Sequence, residues 1–379
     1  MSKLATMTEQ HHIRVNVSPA AFAANIRHLR ALAHPSKVCV VMKANAYGHG
    51  LRPLASVAIE AGADYLGICT NPEAALIREA HREVKIMRLR AALPEELDES
   101  VAALGVEEQL GSVEAAEYLD RAGRRAGRPV PIHLKIDTGM GRSGFFPEQL
   151  ETIKRVCVLP GLKLVGIMTH LAKADAPDLG DAQRQLDAFW ALRESLRNVL
   201  PEDVLVHTHN SAATVRLGDR RADLVRVGAA CYGVRTSRHF ENPTALRPVM
   251  SVFTRVAQVR SVPADRPVGY GTLYRTGRPS RLASLPVGFG EGYPRALFNK
   301  GVVLIHGQRC PVVGRVSLNV LTVDVTDAPC DVRWGDEAVL IGRQASEEVT
   351  FEELADRFDS VHTEINLMAG SMNRVTYAD

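Results

Sequence analysis

Short apolar runs and longer amphipathic runs alternate from residue 12 to residue 240. Runs such as KVCVVMK are apolar without alternation, which is typical of strands buried on both faces. Runs such as SPAAFAANIRHLRALA have helical spacing, with Ser18 as the N-cap and Pro19 as the first helical residue. Setting aside a first strand at residues 12–17, the pattern predicts eight strands joined by helices, namely KVCVVMK, YLGICT, VKIMRLR, EQLGS, PIHLKID, LVGIMTH, LVHTHN and LVRVGAACYG.

This alternation predicts an α/β fold with an N-terminal (β/α)8 barrel, of the TIM-barrel type, over residues 12–240. After Pro248 the runs become strand-like and are joined by Gly, Pro and Asp turns, with a single helical run at TFEELADRF. The pattern there predicts a mostly-β domain over residues 248–379, which residues 12–17 would join as a strand. The boundary between the two domains is predicted at residues 240–248.

Composition narrows the class of protein further. The chain has 379 residues, 46% of them hydrophobic, and a net charge of +3 with no basic run. Aromatic residues make up only 5%, so nucleic-acid binding has little support. The six cysteines are scattered without a CxxC pair, which predicts reduced thiols and no metal site. Without an 18-residue apolar stretch or a signal-peptide pattern at the start, we expect no membrane association and a cytoplasmic location.

Polar residues stand at the ends of several predicted barrel strands, where barrel enzymes place their chemistry. Each one alone has an ordinary explanation, because a single lysine there can extend to solvent and a single histidine is more often structural. Five such strand ends around one barrel mouth instead predict a site. The residues concerned are Lys43, Asp137 to Arg142, His170, Asn210 with Ser211, and Arg226 with Gly228.

These residue types suit one kind of cofactor. Desolvation disfavours the charged form of an amine, so a lysine on a buried strand can react with an aldehyde. A serine hydroxyl and the backbone N–H groups of a Gly-Ala pair can hold a phosphate. An aldehyde and a phosphate on one ring describe pyridoxal 5′-phosphate. The predicted cofactor contacts are Lys43, Tyr47, Arg142, His170, Asn210, Ser211, Arg226, Gly228 and Ala229.

The motif VVMKANAYGHG closely resembles the pyridoxal-phosphate lysine signature of the alanine racemases, which are fold-type III enzymes. The resemblance extends over nearly the whole chain, through KIDTGMGRSGF, GIMTHLAKAD, HNSAA, LVRVGAACYGV, GYGTLY and PVVGRVSLNVLTVDVTD. It implies a barrel with a C-terminal β domain, an amino-acid substrate and a head-to-tail homodimer. It also implies that each active site is completed by the partner's β domain.

Several roles follow from the resemblance alone. Lys43 matches the Schiff-base lysine, which is also the base for the α-proton of the D-enantiomer. Tyr270 matches the opposite base, which reaches in from the partner subunit, and His170 matches its hydrogen-bond partner. Arg226 matches the arginine at the pyridine nitrogen. Because a guanidinium can only donate, that nitrogen would stay unprotonated.

Five further residues match positions around the substrate. Arg142 matches the arginine at the ring's phenolic oxygen, a contact for substrate as well as cofactor. Leu318 matches a residue whose backbone N–H binds the substrate carboxylate. Lys135 matches a lysine that is often carbamylated, although a surface lysine would read the same. Asp175 and Arg295 match a charged pair in the substrate corridor, although such residues are usually solvated surface charges.

The chain also departs from the commonest alanine racemases. TEINLMAGSMNRV has no tyrosine where the family usually supplies one to the phosphate, and Gly370 or Ser371 falls there. Asn319 replaces a common aspartate, and Phe289 replaces a tyrosine of the outer corridor. Arg88 and Arg90 resemble a pattern of broad-specificity amino-acid racemases, although a solvent-facing strand edge would give the same spacing.

The sequence therefore predicts a racemase that interconverts L-alanine and D-alanine by a Lys43/Tyr270 two-base mechanism and supplies D-alanine for peptidoglycan. A racemase of broader specificity, acting on serine or larger and basic amino acids, is the alternative within this class. A fold-type III decarboxylase would not need the tyrosine of VGYGTLY. A non-catalytic pyridoxal-phosphate carrier would resemble the barrel alone and would lack the second domain.

Overall fold

The computed structural model describes residues 12–217, 221–235, 246–328 and 330–379. The chain divides into two compact units. Of the described residues, the barrel unit comprises those within 22–46 and 51–247, and the β unit comprises those within 12–21, 47–50 and 248–379. The boundary predicted at residues 240–248 lies mostly outside the described residues.

The strands of the barrel unit pair in parallel. β2 to β9 form two four-stranded parallel sheets, in the orders β4-β3-β2-β9 and β5-β6-β7-β8. The Arg88 N–H donates to Glu107 O (3.0 Å) between β4 and the start of β5, and the Arg226 N–H donates to His209 O (2.9 Å) between β9 and β8. The strands of this unit are Lys37–Val41 (β2), Tyr65–Ile68 (β3), Lys85–Arg88 (β4), Glu108–Leu110 (β5), Val130–Lys135 (β6), Leu162–Met168 (β7), Leu205–His207 (β8) and Leu224–Val227 (β9). Arg14–Val17 (β1) precedes them and belongs to the β unit.

Helices follow most of these strands. The first begins as predicted, since the Ser18 Oγ accepts a hydrogen bond from the Ala21 N–H (3.1 Å). Leu119 and Phe189 on two of the helices are buried in one cluster with Leu134 and Ile167 of β6 and β7. Each such side chain contributes about 1.5–3 kcal/mol to stability. The helices are Pro19–Ala33 (α1), Leu51–Glu60 (α2), Asn71–Arg78 (α3), Pro94–Glu99 (α4), Val113–Arg125 (α5), Leu150–Cys157 (α6), Gly180–Ser195 (α7) and Ser211–Arg216 (α8).

The β unit contains a seven-stranded sheet with the path β16-β15-β18-β10-β1-β20, in which β19 pairs with β18. β1 pairs antiparallel with β10 and parallel with β20, so residues 14–17 belong to this sheet. β11-β14-β17 and β12-β13 form two smaller sheets. The strands are Met250–Arg255 (β10), Gln258–Val262 (β11), Pro267–Val268 (β12), Tyr274–Arg275 (β13), Ser280–Leu285 (β14), Val302–Ile305 (β15), Gln308–Pro311 (β16), Leu321–Asp324 (β17), Glu337–Gln344 (β18), Glu347–Val349 (β19) and Val375–Tyr377 (β20).

The β unit has a second helix that the sequence pattern did not indicate. Phe351–Asp356 (α9) is the helix predicted at TFEELADRF, but His362–Met372 (α10) was missed. α10 buries the polar residues His362 and Asn366 together with Ile365 and Ala369, so it has no separate apolar and polar faces. The sequence of α10 therefore has no amphipathic periodicity from which the helix could have been predicted. No helix within the described ranges is long and apolar enough to cross a membrane.

Candidate active site

Lys43 begins a left-handed turn. The sequence placed this lysine at the end of a strand, but β2 ends at Val41 and residues Lys43–Tyr47 form the turn. Ala44, Asn45 and Ala46 have φ of 54°, 53° and 55°, a conformation that costs an L-residue about 1–2 kcal/mol. The neighbouring structure must hold the turn in this shape. Part of that support is local, since the Asn45 Oδ1 accepts a hydrogen bond from the Leu51 N–H (2.8 Å).

Arg226 on β9 is buried, and only 4% of its surface is exposed. One terminal nitrogen donates to the His207 carbonyl (2.7 Å) and Nδ1 (2.9 Å), and the other donates to the Thr169 carbonyl (2.7 Å). Its Nε has no hydrogen-bond partner among the described residues. The guanidinium is thus held rigidly with one N–H left to donate.

A chain of buried side chains continues from Arg226 across the unit. The His207 Nε2 lies 2.9 Å from the His133 Nδ1, and the His133 Nε2 lies 2.8 Å from a Glu107 oxygen. Because arginine only donates, the His207 Nδ1 must accept, and each imidazole then donates from Nε2 toward the carboxylate. Burial lowers the pKa of both histidines, which agrees with two neutral rings. The chain therefore connects the positive Arg226 to the negative Glu107.

His170 lies after β7, where its Nδ1 is 3.5 Å from an Arg226 nitrogen. Burial lowers the pKa of His170 well below its ordinary value, and the positive charges of Arg226, Lys135, Arg142 and Lys43 lower it further. The imidazole is therefore neutral near pH 7, with Nδ1 facing a donor and Nε2–H available to donate. The site around it carries an excess of positive charge, which suits an anion.

Lys135 is buried at the end of β6, with 1% of its surface exposed, which excludes the reading as a surface lysine. Its Nζ donates to the Ile136 carbonyl (3.2 Å). Burial, aided by the Arg226 guanidinium, lowers the pKa of Lys135 to about 7. A substantial fraction of this amine is therefore neutral, and so nucleophilic, at physiological pH.

The low pKa of Lys135 predicts a stability that rises with pH. The unfolded lysine keeps its proton to about 10, whereas the folded one releases it near 7. Between these values the unfolded state binds more protons, so the free energy of unfolding should rise by up to about 1.4 kcal/mol per pH unit. We expect this rise between pH 7 and 9 in urea unfolding of the wild type in CO2-free buffer. Lys135→Met should lack it, and identical pH dependences would contradict the assignment.

Arg142 is presented by a loop that Asp137 organises. The Asp137 carboxylate accepts hydrogen bonds from the N–H groups of Gly139 (2.9 Å), Met140 (2.8 Å), Gly141 (3.1 Å) and Arg142 (3.1 Å). Although burial opposes it, these donors hold the pKa of Asp137 below its ordinary value. The carboxylate thus fixes the backbone from which the exposed Arg142 side chain extends.

The residues predicted to hold a phosphate contact one another. The Ser211 Oγ accepts from the Gly228 N–H (2.9 Å) and the Ala230 N–H (3.4 Å). Asn210 acts as the N-cap of α8, where its side chain accepts from the Ala213 N–H (3.0 Å). The structure therefore gives Asn210 a structural role, and it brings the Ser211 hydroxyl next to the N–H groups that begin the turn Ala229–Tyr232.

The other predicted site residues of the barrel unit are Asp175, Arg88 and Arg90. Asp175 is half-buried in the segment between β7 and α7. Arg88 is fully buried and donates to both oxygens of Glu108 (2.7 and 3.1 Å), so a solvent-facing strand edge is excluded for it. Arg90 lies beyond the end of β4, is partly exposed and pairs with Glu96. Both arginines nevertheless reach the same carboxylate, since an Arg88 nitrogen lies 3.9 Å from the Glu96 oxygen that pairs with Arg90.

Tyr270, Leu318 and Arg295 belong to the β unit. Tyr270 opens the turn Tyr270–Thr272 with 74% of its surface exposed, and Leu318 is 55% exposed. The segment that carries Leu318 contacts two turns of this unit. It approaches Tyr270–Thr272, since a Cβ at Gly269 would lie 2.9 Å from the Arg315 N. It also contacts Phe289–Glu291, since the Gly290 N–H donates to the Leu318 O (2.7 Å). Arg295 begins the turn Arg295–Leu297 and is exposed.

Tyr47 also belongs to the β unit, because residues 47–50 pack on its C-terminal elements. A Cβ added at Gly370 of α10 would lie 1.9 Å from the Gly48 O, so the two glycines are in backbone contact. The Tyr377 hydroxyl donates to the His49 carbonyl (3.1 Å). Position 370 consequently has no room for the tyrosine that the family usually places near there.

Residue types alone did not indicate the roles of His133, His207 and Glu107. A signal was available, since His133 and Lys135 are two apart on β6 and so face the same way from an otherwise apolar strand. Among the described residues, no group of three or more histidine, cysteine or acidic side chains could hold a metal ion. The barrel unit thus offers two lysines, two arginines and neutral histidines, a set that suits an anionic carbonyl compound.

Comparisons with known proteins identify the family to which this chain belongs. A family model described as alanine racemase, N-terminal domain, matches residues 17–236, and one described as alanine racemase, C-terminal domain, matches residues 249–377. An alanine racemase of Halothermothrix orenii is 37% identical over 87% of this chain and 86% of its own length. A broad specificity amino-acid racemase of Pseudomonas taetrolens is 38% identical over 97% of this chain and 89% of its own.

A comparison with solved structures also points to the alanine racemases. The crystal structure of alanine racemase from Bartonella henselae with covalently bound pyridoxal phosphate superposes with a TM-score of 0.88. The match covers 97% of this chain and 99% of that one, at 30% identity. The chain belongs to the alanine racemase family.

Proposed function

We propose that the protein is a pyridoxal-phosphate-dependent racemase that interconverts L-alanine and D-alanine. The observation that carries the proposal is the excess of positive charge around His170, whose Nδ1 lies 3.5 Å from an Arg226 nitrogen and whose pKa is lowered by burial and by the charges of Arg226, Lys135, Arg142 and Lys43. An anionic cofactor with an aldehyde would compensate these charges and react with Lys43, which begins a strained turn.

The residues present fit pyridoxal phosphate. The rigid Arg226 has its Nε–H left to donate, which suits an unprotonated ring nitrogen. Ser211 and the backbone at Gly228 and Ala229 would hold the phosphate, which would replace the Ser211–Gly228 hydrogen bond. When bound, the cofactor supplies an electron-withdrawing ring that stabilises negative charge at the substrate α-carbon. Arg142 would contact the ring oxygen and the substrate.

Racemisation needs two bases on opposite faces of the substrate. Lys43 would hold or remove the α-proton on one face, and Tyr270 of the partner subunit would do so on the other. The neutral His170, with Nδ1 facing Arg226, can donate from Nε2 to the Tyr270 oxygen and stabilise it when it has lost its proton. The Leu318 N–H would bind the substrate carboxylate, and Asp175 and Arg295 would line the corridor.

This mechanism implies an assembly. We propose a closed (β/α)8 barrel, supported by the backbone hydrogen bonds at both junctions of its two sheets. We propose that one domain comprises residues 12–240 and the other residues 248–379, and that residues 12–17 join the second domain as a strand. We also propose that two copies of the chain form a head-to-tail homodimer. The high exposure of Tyr270 and Leu318 supports a surface that meets a partner. Carbamylation of Lys135, the peptidoglycan role and the cytoplasmic location stay predictions.

Broader specificity is a second candidate function. The similarity to a broad specificity amino-acid racemase over 97% of the chain favours it. So does the Gly48–Gly370 contact, which leaves no side chain at position 370. A decarboxylase or a carrier lacks such support, since the family models match both parts of the chain.

An enantiomer-resolved assay of the protein loaded with pyridoxal phosphate separates these functions. We expect D-alanine from L-alanine at a far higher rate than D-products from L-serine, L-lysine or L-arginine. Comparable products from serine or the basic amino acids would establish the broader specificity. If none of the four gives a D-product while the cofactor is bound, the racemase proposal is wrong.

A further inference from the structure

The left-handed turn at Lys43 is held by a side chain that neither the sequence motifs nor the proposed mechanism uses. The Ala44 N–H, the first amide after Lys43, donates to the Glu73 Oε1 (2.5 Å). Glu73 lies in the first turn of α3, beside the neighbouring strand β3. A carboxylate from the connection after β3 thus binds the backbone of the connection after β2.

The second oxygen of the same carboxylate is also occupied. The Glu73 Oε2 accepts from the Cys69 N–H (2.8 Å) and the Thr70 N–H (3.1 Å), which belong to the start of α3. The carbonyl of Cys69 accepts from the buried Arg88 (3.0 Å), which is itself fixed by Glu108. Cys69 is therefore held at both its N–H and its carbonyl, so Glu73 is a rigid anchor.

Strain makes this anchor necessary. The turn has four consecutive non-glycine residues, Ala44 to Tyr47, with φ of 53° to 55°, and Ala44 and Asn45 are exposed, so packing contributes little there. A charge-assisted hydrogen bond to a backbone N–H is among the stronger ones. Within the described residues, the Glu73 bond is the contact that reaches the amide next to Lys43 from outside the turn.

We infer that Glu73 is a positioning residue, which holds the left-handed turn so that the Lys43 amine points to the cofactor aldehyde. The inference rests on the proposed function of Lys43. In the proposed mechanism Glu73 does not touch the reacting atoms, and it acts only through its hydrogen bond with the Ala44 N–H. Its carboxylate is required because each oxygen serves a different set of N–H donors.

Glu73→Gln tests the inference. A glutamine has one acceptor oxygen, so its NH2 group must face either the Ala44 N–H or the N–H groups that begin α3. We expect pyridoxal phosphate to attach to Lys43 at least ten-fold more slowly, measured by borohydride fixation and peptide mass. The circular dichroism of the bound cofactor should also change, because it depends on orientation. The unliganded variant should unfold within a few degrees of the wild type.

Glu79→Gln is the matched control, since Glu79 lies at the C-terminal end of the same helix, half exposed and paired with Arg52. It should attach cofactor like the wild type. If Glu73→Gln does not fold, Glu73→Asp replaces it, because the shorter acid can still accept from the start of α3 without reaching Ala44. Wild-type attachment rate and dichroism in the Glu73 variant would overturn the inference. No label on Lys43 in the wild type would overturn the proposed function as well.

Discussion

Replacing Lys43 by alanine should abolish racemisation. The side chain is proposed both to bind the cofactor covalently and to exchange the α-proton. General acid–base catalysis alone is worth about 10²–10⁴-fold, and loss of the covalent link adds to that. We therefore expect kcat for the L- to D-alanine reaction to fall by more than about 10³-fold. Borohydride treatment should no longer fix pyridoxal phosphate on the protein.

Lys37→Ala is the matched control, because Lys37 is the exposed first residue of the same strand, β2. It should keep wild-type activity and cofactor content. Added methylamine can replace the missing amine in the Lys43→Ala variant, and partial recovery of activity would support a chemical rather than a structural role. A Lys43→Ala enzyme with more than a tenth of wild-type kcat would contradict the assignment.

Replacing Tyr270 by phenylalanine should lower racemisation in both directions by about 10²–10⁴-fold, since each turnover needs both bases. Cofactor attachment to Lys43 should persist, because the proposed Tyr270 role begins after the cofactor is bound. Tyr274→Phe is the control. Tyr274 lies four residues away, its ring packs on a small apolar cluster, and its hydroxyl has no hydrogen-bond partner in the described part of the chain.

Mixing the two inactive variants tests whether Tyr270 acts across subunits. In dimers that exchange at random, half would contain one subunit of each kind, and each of these would have one site with both bases intact. We expect the mixture to recover about a quarter of wild-type activity. Recovery no greater than either variant alone, after exchange is confirmed by mass-tagged subunits, would rule out the shared site.

The alternation of apolar strands and amphipathic helices was a strong signal, because each barrel strand is buried on both faces and each helix on one. The pairing of β1 with β10 also agrees with the strand expected at residues 12–17. Helix α10 was not predictable in this way, since its buried residues include His362, Asn366 and Gly370 and therefore obscure any apolar face.

The candidate site was likewise predictable only in part. Strand-end position identified Lys43, Arg142, His170 and Arg226, which the structure brings into electrostatic range of one another. The left-handed backbone was not predictable from residue types, because alanines rarely adopt that region and nothing in the sequence marks the four residues that follow Lys43. Glu73 was hidden for a different reason. An acid in the first turn of a helix is so common that its reach to a neighbouring loop leaves no sequence signal.

The backbone contact between Gly48 and Gly370 limits what an engineer can install in this corner of the protein. A side chain at position 370 would meet the Gly48 carbonyl at 1.9 Å, and one at Gly48 would meet the Asn366 carbonyl at 2.7 Å. Libraries that randomise either glycine would mostly sample misfolded chains. Ser371 is exposed, so it is a neighbouring position at which a larger side chain meets no such obstacle.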